Sequence, residues 1–311
     1  MLHNFYFSIT LLFVLFVAST QAFASDIVRV FILAGQSNMV GAGEVESNPS
    51  RNGGKGSLQW LTENSSTKNR YSHLKTDTGA WVQRDDVLIW FLDRNGSLKP
   101  GYGSSQKKIG PELGFGWVVG DAFKEPVLLI KLAWGGKSLA EDFRPPSLEG
   151  DTGPYYIEVI EKTKEILNTA DQLFLELKGK TLQLTGFGWH QGWNDRINQS
   201  FNDAYEKNMI QFIKDVRRDL QKPTLPFVIA ETGMSGLEEK HPRALALMAS
   251  QKAVADYPNF KGNVAFVPTQ ELYRPPDDSP SKQAYHWNNN AETYYLIGEH
   301  MAHAMIRLMK P

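Results

Sequence analysis

Five short apolar segments alternate with long amphipathic patterns along this chain of 311 residues. They are DIVRVFILAG (26–35), EPVLLIKLAWGG (125–136), LQLTGFGWHQG (182–192), LPFVIAETGM (225–234) and GNVAFVPT (262–269). Strands that are apolar throughout are typical of a parallel sheet, because the connecting helices cover both of its faces. The sequence therefore predicts an α/β fold with a central parallel sheet.

Apolar residues recur at helical spacing in residues 155–174, 200–220 and 294–308. Such stripes are typical of helices that pack on a sheet, and we assign them no chemistry. Residues 44–110 are rich in Gly, Ser, Asn and Lys, with VLIWFL as the one obvious strand. We interpret this segment as a long loop insertion that decorates the site of a single domain over residues 25–311.

An uncharged apolar run, FSITLLFVLFVAST, occupies residues 7–20. The small residues Ala22 and Ala24 follow and fit a cleavage site, so residues 1–24 are predicted to be a signal peptide. The preceding MLHN has no Lys or Arg, which leaves a retained membrane anchor as the alternative. We expect a secreted or periplasmic protein without stable membrane association after cleavage.

The lack of cysteine excludes disulfides, thiol nucleophiles and Cys-based metal sites. Charges nearly balance, with 33 Lys and Arg against 34 Asp and Glu, and the sequence has no basic block of the kind that binds phosphates. Nucleic acid is therefore not an expected partner.

Polar and glycine-rich residues follow three of the predicted strands at the point where each strand ends. These are Gly35-Gln36-Ser37-Asn38, Trp134-Gly135-Gly136-Lys137 and His190-Gln191-Gly192-Trp193-Asn194-Asp195. In parallel sheets, ligands bind at the carboxyl ends of the strands. We therefore expect the three loops to converge on one rim.

Ser37 would need a base to act as a nucleophile, because serine is weakly nucleophilic at neutral pH. Of the seven histidines, His190 and His286 are the candidates nearest to the predicted rim. His286 precedes the last helix, which in a doubly wound fold returns beside the first strand. His190 either faces the substrate or packs in the interior. Each feature alone has a plainer explanation, since Ser-Asn after glycine commonly caps a helix.

Four blocks occur in order between residues 31 and 298: LAGQSNMVGAGE, KLAWGGKSLAEDFRPPS, GFGWHQGWND and HWNNNAETYYLIG. Together they resemble the sialic acid esterase-type acetylesterase domain of the SGNH/GDSL hydrolase superfamily. Its members include sialate O-acetylesterases and the acetylxylan esterases of carbohydrate esterase family six. The resemblance implies a serine esterase on a three-layer α/β/α, flavodoxin-like fold.

The resemblance also implies roles for individual residues. Ser37 would be the nucleophile and His286 the general base. The oxyanion hole would draw on the backbone N–H of Ser37, on the N–H of Gly135 or Gly136, and on a side-chain amide from HQGWND.

Two residues are candidates for this side-chain amide. The Gly-x-Asn-Asp block of the superfamily corresponds to Asn194, whereas the Gln-Gly-Glu block of the acetylesterase branch corresponds to Gln191. We favour Gln191 over Asn194. Trp193 stands where that branch has Glu, so whatever the Glu does elsewhere is not done here.

The clearest departure from the superfamily is Gln283, which stands three residues before His286 where the superfamily commonly has Asp. Glutamine can accept a hydrogen bond from the histidine but cannot stabilise the imidazolium by charge. Either the site is a Ser-His dyad or a carboxylate comes from elsewhere, with Asp277, Asp278 and Asp195 as the candidates.

Aromatic side chains near the motifs suit a sugar, because aromatic faces bury the apolar C–H surface of a pyranose ring. Four tryptophans neighbour the motifs: Trp134, Trp189, Trp193 and Trp287. Trp134, His190, Trp193 and Arg144 are the candidate substrate contacts, and the alternative for the tryptophans is that at least two of the four belong to the core.

The prediction is a carbohydrate O-acetylesterase that acts through a serine acyl-enzyme on acetylated sugars and needs no metal or organic cofactor. The alternative is a non-catalytic carbohydrate-binding protein derived from the esterase fold, which the replacement of Asp by Gln283 supports. A lipase or thioesterase on the same fold is less favoured, because it would need an apolar acyl channel.

Overall fold

A computed structural model describes residues 26–310, so the predicted signal peptide lies outside the described residues. The strands are β1 (Ile27–Gly35), β2 (Gly43–Glu44), β3 (Arg84–Phe91), β4 (Arg94–Leu98), β5 (Lys108–Ile109), β6 (Val127–Ala133), β7 (Thr181–His190), β8 (Phe227–Ala230) and β9 (Val264–Val267). The α-helices are α1 (Ser37–Val40), α2 (Leu58–Glu63), α3 (Lys68–Tyr71), α4 (Glu112–Ala122), α5 (Pro154–Leu173), α6 (Trp193–Ile197), α7 (Gln199–Asp219), α8 (Pro242–Ala255) and α9 (Ala291–Met309).

The central sheet has seven strands in the order β4-β3-β6-β1-β7-β8-β9. All neighbouring strands pair in parallel except β3 and β4, which are antiparallel. The five strands predicted from the apolar segments are confirmed, as is the α/β fold. β1 lies in the middle of the sheet, with β6 on one side and β7 on the other.

Side chains of β1 alternate between two separate cores, as the period of a strand requires. Phe31 and Leu33 pack with residues of α4 and α9, whereas Val30 and Ile32 pack with residues of α5, α7 and α8. Helices therefore cover both faces of the sheet, which gives the three layers that were expected. No helix within residues 26–310 is long and apolar enough to cross a membrane.

The segment 44–110 differs from the predicted loop insertion at residues 84–98. There β3 and β4 extend the central sheet, and β3 pairs with β6 in parallel. The apolar run VLIWFL explains the difference, because Val87, Ile89 and Phe91 are buried in the core. The rest of the segment forms short helices and the small β2-β5 sheet, and it brings Lys108 to the edge of the predicted site.

Candidate active site

The loops that follow β1, β6 and β7 meet at one edge of the sheet, as predicted. The N–H of Trp134 donates to Gly35 O at 3.2 Å, and the N–H of Gln36 donates to His190 O at 3.2 Å. Gly35 has a φ of 154°, and a Cβ there would lie 2.2 Å from His190 O. Glycine is thus required at the point where the first two loops and β7 come together.

Ser37 begins the single-turn helix α1 and is partly exposed. It lines a pocket of about 590 Å³ together with His286, Gly135, Trp134 and other residues of the rim. Within residues 26–310, the backbone N–H of Ser37 has no hydrogen-bond acceptor. Among residues 26–310, no hydrogen bond joins the side chain of Ser37 to that of His286.

His286 lies in the 3₁₀ segment Ala284–Asn289 and is half-buried. Its ring packs on the ring of Tyr285 with centroids 4.6 Å apart. Burial, followed by the positive charge of Lys108, lowers the pKa of His286 below its usual value. The ring is therefore neutral at pH 7, the form in which it can accept a proton.

None of the three candidate carboxylates contacts the His286 ring in the described part of the chain. Asp277 and Asp278 are exposed, and Asp278 pairs with Lys55 at 2.9 Å. Asp195 is buried and accepts hydrogen bonds from the backbone of the loop that follows β6. The ring of His286 thus has no carboxylate partner among residues 26–310.

Asp195 instead braces the loop between β6 and α5. Its carboxylate accepts the N–H of Leu139 at 2.8 Å, the N–H of Ala140 at 3.0 Å and an amide N–H of Gln191 at 2.5 Å. Burial raises the pKa of Asp195 to about 6.

Gln283 meets His286 through its backbone. Its C=O accepts the N–H of His286 at 2.8 Å and the N–H of Asn288 at 3.0 Å. The side chain of Gln283 is exposed at the edge of the pocket and makes no hydrogen bond to the rest of the described chain.

The two candidate side-chain amides differ in what their N–H groups already bind. Gln191 is 1% exposed and donates to Asp195 Oδ2 and to Lys137 O, which uses both of its N–H groups. Asn194 is partly exposed and donates one N–H to Gly136 O at 2.9 Å. Its second N–H has no acceptor in the structure from residue 26 to 310.

Gly135 and Gly136 are both exposed at this edge, and a Cβ on either would meet no atom within 4 Å. Neither backbone N–H has an acceptor in the described chain. Gly136 has a φ of 70°, a conformation that favours glycine. The geometry therefore leaves both glycines open as oxyanion donors.

The expected substrate contacts fall into two groups. Trp134 lines the pocket and packs against Tyr155, with ring centroids 4.9 Å apart. Trp193 is partly exposed and lies beside Tyr285, with centroids 5.7 Å apart. Arg144, in contrast, does not line this pocket, and its Nε donates to Ala140 O at 2.7 Å.

His190 does not face substrate in this structure, because its side chain is fully buried. Its ring packs against Trp287 at a centroid distance of 6.4 Å, and burial lowers its pKa to about 3. His190 is therefore a neutral interior residue. Trp287 and Trp189 are also fully buried, which confirms that two of the four tryptophans belong to the core.

The family of the chain follows from its sequence as a whole. The family model described as carbohydrate esterase, sialic acid-specific acetylesterase, matches residues 27–307. The chain belongs to this family. It is a carbohydrate esterase and hence a hydrolase, and the resemblance noted from the four sequence blocks is confirmed.

Three solved structures are similar to this carbohydrate esterase, and the first of them shows a shared fold. A protein from Arabidopsis thaliana has a TM-score of 0.59 at 18% identity, with 89% of this chain and 97% of that chain covered. A carbohydrate acetylesterase from Xanthomonas citri has a TM-score of 0.48 at 14% identity, with 88% of this chain and 56% of that chain covered. A carbohydrate esterase family 2 enzyme with a carbohydrate-binding domain, from Corynascus thermopiles, has a TM-score of 0.44 at 15% identity. The match covers 91% of this chain and 66% of that chain. No curated protein matches the chain significantly in sequence.

Gln36 is a residue of the esterase site that the sequence reasoning missed. Its side chain is buried, and its Oε1 accepts the N–H of Gly192 at 3.0 Å and the N–H of Asn194 at 3.3 Å. Its Nε2 donates to Asn194 Oδ1 at 3.2 Å. Gln36 thereby fixes the β7 loop beside Ser37, and its place between Gly35 and Ser37 was the signal that could have indicated this role.

A buried ion pair supports the other end of α1. Lys131 Nζ contacts Glu112 Oε2 at 2.6 Å and donates to Val40 O at 2.7 Å, and both charged side chains are fully buried. Burial lowers the pKa of Lys131 to about 8. The pair anchors the last residue of the helix that Ser37 begins.

Proposed function

We propose that this carbohydrate esterase removes acetyl groups from acetylated sugars through an acyl-enzyme on Ser37. The observation that supports the proposal best is the shared pocket of Ser37 and His286, which opens at the carboxyl edge of the sheet beside free backbone N–H groups. This combination supplies a nucleophile, a neutral base and donors for an oxyanion.

In the proposed reaction, His286 accepts the proton of Ser37 Oγ as this oxygen attacks the acetyl carbonyl carbon. The tetrahedral intermediate collapses, the bond to the sugar oxygen breaks, and His286 returns the proton to that oxygen. Water then attacks the acetyl-enzyme with His286 again as base, and acetate leaves as the proton returns to Ser37. The cycle needs no reactant besides the ester and water.

For the oxyanion hole we propose the N–H of Ser37, the N–H of Gly135 or Gly136, and the amide of Asn194. Asn194 replaces our sequence-based preference for Gln191, because Gln191 donates both of its N–H groups within the protein. Asn194 keeps one N–H free while Gln36 and Gly136 hold its amide in place.

We propose that acetylated carbohydrates outside the cytoplasm are the substrates. The partly exposed rings of Trp134 and Trp193, next to the motifs, support a sugar ligand, because aromatic rings can bury the apolar C–H surface of a sugar. Export rests on the predicted signal peptide at residues 1–24.

Acetate release from acetylated xylan, acetylated sialic acid and p-nitrophenyl acetate tests the proposed function. Ser37→Ala should abolish release while its circular dichroism spectrum and melting temperature stay those of the parent protein. Wild-type turnover in this variant would disprove the role of Ser37.

A fluorophosphonate probe separates the esterase from the non-catalytic binding protein. The binding protein is supported by the His286 ring, which contacts no carboxylate within residues 26–310. An activated Ser37 should react with the probe, and Ser37→Ala should not. A parent protein that binds acetylated glycans but neither labels nor releases acetate would support the binding protein instead.

A further inference from the structure

Asn38, the residue after Ser37, is 1% exposed, and its side-chain amide is fully used. Its Nδ2 donates to the backbone C=O of Tyr285 at 3.1 Å and to Met234 Sδ at 2.9 Å. Its Oδ1 accepts the hydroxyl proton of Tyr294 at 2.9 Å. The amide orientation is fixed by these partners, because a carbonyl must face Nδ2 and not Oδ1.

Tyr294, on α9, is fully buried and completes the connection. Its hydroxyl lies 3.3 Å from the backbone C=O of His286 and 2.9 Å from Asn38 Oδ1, so its single proton is shared mainly with the nearer oxygen. Tyr294 thus contacts both the segment that carries Ser37 and the segment that carries His286.

These contacts hold the peptide groups on both sides of His286. The C=O of Tyr285 belongs to the peptide that precedes the His286 Cα, and the C=O of His286 belongs to the peptide that follows it. Because each peptide group is planar, the hydrogen bond from Asn38 to the Tyr285 carbonyl, together with the weaker contact of the Tyr294 hydroxyl with the His286 carbonyl, restricts the direction in which the His286 side chain leaves the backbone. Asn38, the neighbour of Ser37 in the chain, takes part in both contacts, because it binds the Tyr285 carbonyl directly and also accepts the Tyr294 hydroxyl proton.

The His286 segment needs such support because its backbone is strained. Trp287, Asn288 and Asn289 have φ values of 51°, 53° and 59° in succession. Asparagine tolerates this left-handed conformation, but a bulky side chain such as that of Trp287 does so at a cost, and it persists only where surrounding contacts enforce it.

We propose that Asn38 and Tyr294 are positioning residues that hold His286 toward Ser37 through its backbone, where the chain has Gln283 instead of an acid. The proposal rests on the proposed function of Ser37 and His286. The two residues act on the placement of the histidine and not on its charge, because both are neutral. The aspartate of a triad both orients the histidine and stabilises the imidazolium. Asn38 and Tyr294 would only orient His286.

Tyr294→Phe tests the proposal, because it removes only the hydroxyl. A matched control is Tyr295→Phe, which removes the hydroxyl of another buried tyrosine of α9, whose partner is His73 Nε2 at 3.0 Å. We expect kcat on p-nitrophenyl acetate to fall by ~10-fold to ~100-fold in Tyr294→Phe, since small displacements of catalytic groups have effects of this size. KM should stay within about 2-fold, and Tyr295→Phe should keep the parent kcat.

Asn38→Ala is the second variant and should lower kcat at least as much, with the same small change in KM. The proposal is overturned if Tyr294→Phe keeps the parent kcat, or if its loss equals that of Tyr295→Phe. Failure of Tyr294→Phe to fold also overturns it, because the hydroxyl would then serve the fold. If Ser37→Ala keeps its activity, the proposed function itself fails. Inactive Ser37→Ala beside fully active Tyr294→Phe rejects the positioning role alone.

Discussion

The two catalytic side chains of the proposed site are held in different ways. Ser37 follows β1 directly, and paired strands on both sides of β1, together with Gln36 and the Lys131 ion pair, fix its helix. His286 lies in a strained 3₁₀ segment that does not follow a strand of the central sheet, and its ring has no carboxylate partner in the described chain. The sheet therefore places the nucleophile, whereas individual hydrogen bonds place the base.

The largest expected effect comes from removing the base. His286→Ala should reduce kcat for acetate release by roughly 10⁴-fold or more, because Ser37 would lack a proton acceptor. His303→Ala is the matched control, since this histidine is exposed on α9 away from the pocket. A loss of less than about 10-fold in His286→Ala would mean that another group activates Ser37.

A smaller effect should distinguish the two amides on the Ser37 side. Asn194→Ala should lower kcat by ~10² to ~10³-fold, as expected for a lost oxyanion donor. Gln191→Ala should instead lower the free energy of unfolding by ~1 to ~3 kcal/mol, since buried Asp195 loses a donor. Activity and urea unfolding of both variants decide the assignment, and the reverse pattern would restore Gln191 as the donor.

The smallest expected effect is a shift in the pH dependence of kcat/KM, which the pKa of His286 determines. The active form of His286 is neutral and its pKa is lowered, so kcat/KM should be constant at neutral pH and fall as pH drops through that lowered pKa. Lys108→Gln removes a charge that lowers this pKa, so the acidic limb should move to higher pH. Lys107→Gln, at an exposed neighbouring lysine, should leave it unchanged. A move to lower pH in Lys108→Gln would contradict the role of His286 as the base.

The contrast between the two sides also explains what the sequence could predict. Apolar runs are local, so the strands and the meeting of Gly35, Trp134 and His190 at one rim were predictable from pattern alone. The burial of His190 was not, because its neighbour Trp287 is distant in sequence. The engagement of the Gln191 amide was not predictable either, because Lys137 is 54 residues away and the nearby Asp195 reaches the amide only through the turn into α6.

The connection between Asn38 and Tyr294 has a consequence for folding. It joins residues 256 positions apart, and the contact between Gln36 and Asn194 joins residues 158 apart. Contacts of such long sequence separation form slowly, because large loops must close before the contacts can contribute. During synthesis, Ser37 is therefore made early, but the chain stays inactive until α9 has been synthesised and packs against the segment that follows β1. Activity should appear last in refolding, after the secondary structure has formed.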